Sequence, residues 1–254
     1  MQDRWQKLSE VPKLIDGEVH VWRFDLDWPR DHIHCLETWL ATDEIQRAIR
    51  FRGVLLRDRY IAGRGMLRYL LSRYLDCGPS DLEFRYGKSG KPELDGPDAI
   101  PSLLQFNLTH SGPWALLAVA TGQALGVDIE QIRPMPEVEG IVSQNFSRTE
   151  VAEFFSLPRD LRLTAFFKFW TLKEAFVKAI GSGLSVSLDS FDVTMSPSTL
   201  PRLLRLGSDS GATANWSLYH LDPTPGYLGA LAVEGSGHRL RFFETLSLEA
   251  LIGG

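Results

Sequence analysis

Two separated stretches carry the side chains whose types and spacing suit chemistry. In Gly126-Val127-Asp128-Ile129-Glu130, two carboxylates stand at i and i+2. Residues two apart on a β-strand point to one face, so Asp128 and Glu130 project together. Ionised side by side they repel, an arrangement that suits a hard divalent cation such as Mg²⁺, which takes oxygen ligands. A solvated strand face would show the same pattern. The second stretch, Phe169 to Ile180, reads as a helix stopped by Gly181-Ser182-Gly183. At roughly 100° per residue, Trp170, Glu174, Val177 and Lys178 share one flank. Alone, Glu174 and Lys178 describe an ordinary i,i+4 pair that stabilises a helix by ~0.2–0.5 kcal/mol. Beside Asp128 and Glu130, Glu174 would complete a metal site, and Lys178 would suit a ligand that brings phosphate.

Phe106-Asn107-Leu108-Thr109-His110-Ser111-Gly112 sets a hydroxyl, an imidazole and a second hydroxyl at the end of a predicted strand. A Ser111 nucleophile with His110 as its base is disfavoured, because adjacent residues rarely meet in that geometry and the G-x-S-x-G elbow is missing. His110 reads either as a turn histidine or as a donor to phosphate, with Lys91 and Arg59 as charged companions. The loop Gly87-Lys88-Ser89-Gly90-Lys91-Pro92 lacks P-loop spacing, and Gly181-Ser182-Gly183 follows its helix instead of opening one. Neither nucleotide fingerprint therefore applies.

These residues need a scaffold, and the chain is long enough to supply one. Its 254 residues with 44% hydrophobic content can bury one large core or two smaller ones. Val19 to Asp27 alternates Trp22, Phe24 and Leu26 against Arg23, Asp25 and Asp27, which predicts a half-buried strand. Helical patterns follow over Asp43–Phe51 and Arg57–Tyr74, then a short strand over Leu82–Tyr86. Leu104–Thr109, Trp114–Thr121 and Leu125–Glu130 predict an antiparallel meander. Ser147 with Glu150 makes a capping box for a helix through Phe155, and another helix runs from about Asp160 to Ile180. Strands are predicted near Ser190–Met195, Asn215–Leu221 and Tyr227–Val233. This order suggests an α+β fold of two similar halves, 1–123 and 124–254, packed around a cleft, with no repeat in the letters themselves.

The net charge of −5 argues against a general nucleic-acid surface. Two cysteines, Cys35 and Cys77, fit a reducing compartment and exclude a Cys-rich zinc site. No apolar signal core opens the chain and no run is long enough to span a bilayer, so a cytoplasmic protein without membrane attachment is expected.

Taken in order, Gly90-Lys91-Pro92, the Phe106–Gly112 stretch, Gly126–Glu130, Trp170-Thr171-Leu172-Lys173-Glu174-Ala175 and Gly181-Ser182-Gly183-Leu184 strongly resemble the Sfp-type 4′-phosphopantetheinyl transferases through most of the chain. The resemblance implies a pseudo-two-fold pair of α/β halves that bind coenzyme A and Mg²⁺ between them. It further implies transfer of the phosphopantetheine arm to a serine of an acyl- or peptidyl-carrier protein, releasing adenosine 3′,5′-bisphosphate. Such proteins serve fatty-acid, polyketide or nonribosomal-peptide synthesis, and a monomer is expected.

Carried over by position, Asp128 and Glu174 resemble the Mg²⁺ ligands, with Glu130 as a third ligand or the holder of a metal-bound water. Glu174, or a water it orients, is the implied base, and Lys178 with the metal stabilises phosphate charge. Lys173 carries no firm role. Arg59, Lys91, Thr109 and His110 fall where the family grips the adenosine 3′-phosphate and neighbouring parts of coenzyme A, and Arg47 is another basic position of that region. Some relatives carry a lysine near Glu44, so one phosphate contact is expected to be absent or supplied elsewhere. The carrier is expected to dock on Pro136–Phe155, although Val138, Ile141, Val142, Phe146 and Phe154 also read as core. An inactive coenzyme A- or carrier-binding module is the alternative, disfavoured by the retained Asp128, Glu130, Glu174 and Lys178.

Overall fold

The computed structural model describes residues 5–8, 10–87, 90–95, 103–181, 186–194, 200–207 and 212–245. Its strands are β1 (Gln6–Leu8), β2 (Glu18–Asp25), β3 (Glu83–Tyr86), β4 (Pro92–Asp95), β5 (Leu104–Ser111), β6 (Trp114–Thr121), β7 (Leu125–Gln131), β8 (Phe191–Val193), β9 (Leu203–Leu206), β10 (Trp216–Leu221), β11 (Tyr227–Glu234) and β12 (Arg239–Thr245). The helices are α1 (Arg30–Glu37), α2 (Thr42–Ile49), α3 (Val54–Leu75), α4 (Val138–Asn145), α5 (Arg148–Ser156) and α6 (Arg159–Ala179). Lys88, Ser89, Met195 and the stretch Ser182 to Leu184, all used in the motif and strand readings, lie outside the described residues.

Side-chain alternation stacks these elements in four layers. Trp22 and Phe24 of β2, with Leu117 and Val119 of β6, face Leu67 and Leu70 of α3. The intervening Val19, Val21, Leu116 and Ala118 face Leu125, Val127 and Ile129 of β7 and Leu231 of β11. Ala230 and Ala232 of β11 turn the other way, onto Leu172, Ala175 and Phe176 of α6. The result is helix α3, a five-stranded sheet in the order β1-β12-β2-β6-β5, a three-stranded sheet in the order β10-β11-β7, and helix α6. Period two on each strand thus serves two cores at once.

This layering corrects two sequence expectations. The strand expected to be half-buried is central, and Glu18 to Trp22 are all buried. The predicted meander breaks after its first hairpin: β5 pairs antiparallel with β6, but β7 pairs with β11 in the other sheet. Leu125, Val127 and Ile129 bury one face of β7 between the sheets while Gly126 and Asp128 are buried under α6 on the other, a two-sided cover that alternation within the segment could not reveal. The last strand also crosses back, because β12 pairs parallel with β2 and β1.

Edges β5 and β7 meet without a backbone ladder, through side chains. The Val127 N–H donates to Asn107 Oδ1 at 2.8 Å, and the Gln131 N–H donates to Ser111 Oγ at 3.1 Å. Asn107, Thr109 and Ser111 share one face of β5, so alternate polar residues replace the missing ladder and satisfy edge donors that burial would otherwise strand.

Within Pro136–Phe155 the core reading of the apolar residues holds. Val138, Val142, Phe146 and Phe154 are buried against Phe166, Phe167 and Phe169 of α6, with Ile141 packed beside them. Trp170, 5.5 Å from the Phe166 ring, belongs to the same cluster and fixes the rotation of α6. Among the described residues no helix is long and apolar enough to cross a membrane.

A buried ionic cluster locks α2 to α3. Glu44 is 1% exposed, accepts from Arg64 and from Arg68 Nε at 2.6 Å, and receives the Ala41 N–H at 2.9 Å. Arg68 also donates to the carbonyls of Pro79 and Leu82. Glu44 is therefore a core residue whose acid is needed to balance two buried guanidinium groups. Glu44→Gln leaves both under-compensated and is expected to cost ~3–5 kcal/mol; urea unfolding with an unchanged midpoint would contradict that role. A second prediction concerns Gly126, where a Cβ would lie 2.2 Å from the Ala175 carbonyl and 2.3 Å from the Ala179 nitrogen. Gly126→Ala must push α6 off β7, with an expected loss of at least ~1–3 kcal/mol by the same measurement.

Candidate active site

With Leu125, Val127 and Ile129 turned into the inter-sheet core, Gly126, Asp128 and Glu130 face α6. The missing Cβ at Gly126 brings helix backbone against the strand, and one turn of α6 then sets Lys178 over Asp128. Lys178 Nζ lies 2.6 Å from Asp128 Oδ1 and 3.0 Å from Thr109 Oγ1. Thr109 Oγ1 also donates to Asp128 Oδ1 at 3.2 Å. Thr109 is carried in from β5 by the side-chain seam, so three elements converge on one carboxylate.

Lys178 pairs with Asp128 and not with Glu174, so the i,i+4 reading of that helix flank is replaced by a helix-to-strand contact. Glu130 accepts from Ser111 Oγ at 3.0 Å and lies 3.8 Å from Arg133. Glu174 is half-buried and has no hydrogen-bond or ion-pair partner among the described residues.

The electrostatics of the three acids agree. Burial pushes the Asp128 carboxyl above its ordinary range, against the pull of Lys178 and Thr109. Burial and then the Asp128 charge raise Glu130. For Glu174, burial comes first, then Asp128, with Glu130 adding and Lys178 opposing. Desolvated acids that repel one another favour whatever positive charge can enter between them.

Their fit to a divalent cation rests on one atom. Asp128 Oδ2 is buried and without a hydrogen-bond partner, whereas buried carboxylate oxygens are ordinarily satisfied. The all-oxygen donor set matches Mg²⁺ chemistry. Among the described residues no three acidic, His or Cys side chains are already gathered tightly around one point. Asp128, with Glu130 and Glu174 beside it, would hold such an ion.

The basic candidates are placed at increasing remove. His110, exposed at the outer end of β5, is held below its ordinary pKa by partial desolvation, then by the charges of Lys178 and Arg59. Arg59 forms a bidentate pair with Asp27, at 2.6 and 2.8 Å. Lys91 donates to the carbonyls of Leu125 and Lys178 at 2.9 and 3.0 Å. Burial lowers its pKa to about 8. It thus ties the β3–β4 hairpin to the start of β7 and the last turn of α6. Arg47 stands apart on α2 over the Tyr60 ring, lining a groove with Asp43, Gln46, Arg50 and Phe51. Lys173 points away from the acids into the core, where it meets Glu150 at 2.8 Å and the carbonyls of Leu188 and Phe191.

Sequence reasoning missed Asp27 as the partner of Arg59, Ser111 as the donor to Glu130, and the reason for Gly126. The polar alternation Asn107, Thr109, Ser111 within an apolar strand was the available signal for the seam. Nothing local marks Asp27, which meets Arg59 only through the packing of β2 against α3.

Two family models divide the chain at the point where β6 ends and β7 begins. The model described as "4'-phosphopantetheinyl transferase, N-terminal" matches residues 28–122, and that of the 4'-phosphopantetheinyl transferase superfamily matches 124–232. The 4'-phosphopantetheinyl transferase HetI of Nostoc sp. is 36% identical over 243 residues, covering 96% of this chain and 99% of that protein. The chain belongs to the 4′-phosphopantetheinyl transferase family. Other family members include a putative 4'-phosphopantetheinyl transferase of Synechocystis sp., 35% identical over 79% of this chain and 78% of its own. The 4'-phosphopantetheinyl transferase Sfp of Bacillus subtilis is 33% identical over 62% of this chain and 67% of its own. The family assignment inferred from the ordered motifs is thereby established.

The raised acids make a pH prediction for the metal-free protein. A carboxyl whose folded pKa exceeds its unfolded value contributes stability at low pH that is lost as pH rises through the folded value. Glu174→Gln removes that penalty. In EDTA the variant is expected to melt higher than the unaltered protein at pH 8, by ~2–4 °C per kcal/mol of repulsion relieved, and the gap should close towards pH 5. Histidines with lowered pKa values contribute equally to both proteins and cancel in the difference. A gap that is constant with pH would contradict the assignment.

Proposed function

We propose that the protein transfers the 4′-phosphopantetheine arm of coenzyme A to a serine hydroxyl of an acyl- or peptidyl-carrier protein, in a Mg²⁺-dependent reaction that releases adenosine 3′,5′-bisphosphate. The observation that carries this reading is the buried Asp128 with Lys178 on one oxygen and no partner on the other, beside Glu130 and Glu174. Family membership supplies the substrate classes, and these residues supply the means.

In the transfer, the serine oxygen bonds to the phosphorus that carries the pantetheine arm. The bond from that phosphorus to the oxygen bridging it to the nucleotide phosphate breaks, and the serine proton passes to Glu174 directly or through a water. Glu174 suits the proton because its half-buried carboxylate has no hydrogen-bond or ion-pair partner among the described residues. Lys178, held beside the acids by Asp128 and Thr109, presents positive charge to the phosphates by sharing or exchanging those partners. Asp128, Glu130 and Glu174 would hold Mg²⁺, which when bound neutralises pyrophosphate charge and acts as a Lewis acid.

His110 and Arg59 are proposed to grip the 3′-phosphate end, Thr109 to position Lys178, and Lys91 and Arg47 to border the nucleotide. The first half, 1–123, would then provide the nucleotide contacts, and the second, 124–254, the metal site and catalytic helix. Arg59 reaches a phosphate by sharing or exchanging its Asp27 partner.

Incubation with Mg²⁺, coenzyme A and an apo-carrier domain is expected to add the mass of the arm to the carrier serine, and Glu174→Ala to abolish the addition. No mass shift across several carriers would overturn the proposal. Coenzyme A should also raise the melting temperature more with Mg²⁺ than with EDTA, since a metal shared between protein and ligand couples the two binding events; equal shifts would count against the shared site.

A further inference from the structure

Across the seam between β5 and β7, two hydroxyls face two acids. Thr109 and Ser111 stand at i and i+2 on β5, and Asp128 and Glu130 at i and i+2 on β7, so the second pair of side chains repeats the first one step along both strands. A hydroxyl has one proton to give. Thr109 Oγ1 accepts from Lys178 Nζ at 3.0 Å, and its own proton goes to Asp128 Oδ1 at 3.2 Å. Ser111 Oγ accepts the Gln131 N–H at 3.1 Å, and its proton goes to Glu130 Oε2 at 3.0 Å. Each hydroxyl is turned toward its acid by a nitrogen donor on its other side.

Each of these two carboxylates is therefore engaged on one oxygen only. On Asp128, Lys178 and Thr109 both meet Oδ1, while Oδ2 is buried with no hydrogen-bond partner. On Glu130, Ser111 donates to Oε2 and Arg133 approaches the same oxygen at 3.8 Å, while Oε1 takes no hydrogen bond among the described residues. Joining the strands does not require this bias, because the Val127 N–H and Asn107 Oδ1 already tie them at 2.8 Å without touching either acid. Ser111 matters most for Glu130, whose side chain is longer and only half-buried, whereas Asp128 is buried and also held by a lysine.

An engaged oxygen limits how a cation can be met. Mg²⁺ demands near-octahedral geometry and keeps several waters beside one or two carboxylates, whereas the larger Ca²⁺ takes roughly six to eight oxygens and accepts bidentate carboxylates. To chelate through both oxygens, Glu130 would have to give up Ser111, and Asp128 its bonds to Lys178 and Thr109.

We propose that Ser111 is a positioning residue that sets the metal preference of the site: by holding Oε2 of Glu130 it leaves a single oxygen for a cation and so favours Mg²⁺ over Ca²⁺. This role rests on the metal site of the proposed reaction, whereas its measure is cation binding and not transfer.

The test is calorimetric titration of the full-length protein with Mg²⁺ or Ca²⁺, alone and with saturating coenzyme A, for the unaltered chain and for Ser111→Ala, Ser111→Thr and Ser111→Val. Gln131 is exposed, so water can take the N–H that loss of the hydroxyl releases, and the melting temperature in EDTA checks that each variant is folded. Ser111→Ala is expected to lower the ratio of the Ca²⁺ to the Mg²⁺ dissociation constant by about threefold or more, the size of one net hydrogen bond. Ser111→Thr and Ser111→Val have the same shape and differ in the hydroxyl, so the first should keep the ratio and the second lower it; this pair decides the matter if Ser111→Ala does not fold. A serine that only joins the strands would, on removal, weaken both cations together, and an unchanged ratio overturns the proposal. Equal ratios for the Thr and Val variants overturn it as well. A protein that binds neither cation under either condition removes the metal site and the proposal with it. A shifted ratio in a protein that modifies no carrier would instead remove the transfer reaction and leave the selectivity standing.

Discussion

The close approach of β7 to α6 at Gly126 is the constraint on which the site depends. Any side chain there would occupy the space of the Ala175 carbonyl and the Ala179 nitrogen. Because the strand advances in steps of two residues and the helix in turns, that one contact fixes which residues meet beyond it. Asp128, two positions on, reaches Lys178 at 2.6 Å, and Glu174, one turn earlier on α6, is brought within electrostatic range of both acids. A shift of α6 by even an ångström would separate groups whose coupling falls steeply with distance once they are desolvated. Lys91, bonded to the Leu125 and Lys178 carbonyls, closes the same contact from the first half of the chain.

The two halves hold their long helices by the same device, although no repeat shows in the letters. In the first, Glu44 at the third position of α2 receives the N-cap N–H of Ala41 and reaches across to Arg64 and Arg68 of α3. In the second, Glu150 at the third position of α5 receives the N-cap N–H of Ser147 and reaches Lys173 of α6, with its other oxygen on the Val193 N–H. Burial pushes Glu150 up and Lys173 down, so each ion needs the other in place. Buried pairs of this kind contribute little net stability but tolerate only one arrangement. Each fixes a short helix against a long one, and the long helix carries the residues proposed for the chemistry: Arg59 on α3, Glu174 and Lys178 on α6.

What could be read from the sequence divides along physical lines. The paired acids at 128 and 130, the helix flank with Glu174 and Lys178, and the Ser147–Glu150 capping box are local patterns, and local geometry alone places their side chains. The family followed from the order of such patterns along the chain. Partnerships across layers were not legible. Glu44 looked like a lost basic position because its counter-ions lie 20 and 24 residues onward on another helix. The α4–α5 apolar residues looked available for a partner because only the packed fold shows α6 covering them. The β5–β7 seam was hidden for a related reason: strands adjacent in sequence usually pair, and here side chains of Asn107 and Ser111 stand in for a ladder between two sheets.

Three of the cations proposed to meet coenzyme A already have polar partners in the folded chain. Arg59 is paired with Asp27, Lys178 with Asp128, and Lys91 with two carbonyls. This arrangement keeps a basic lining compatible with a protein of net charge −5, since unpaired cations beside buried acids would distort the site or recruit stray anions. It also means that binding a polyanion is an exchange of partners, and its free energy is a difference between two sets of ion pairs instead of the sum of new ones.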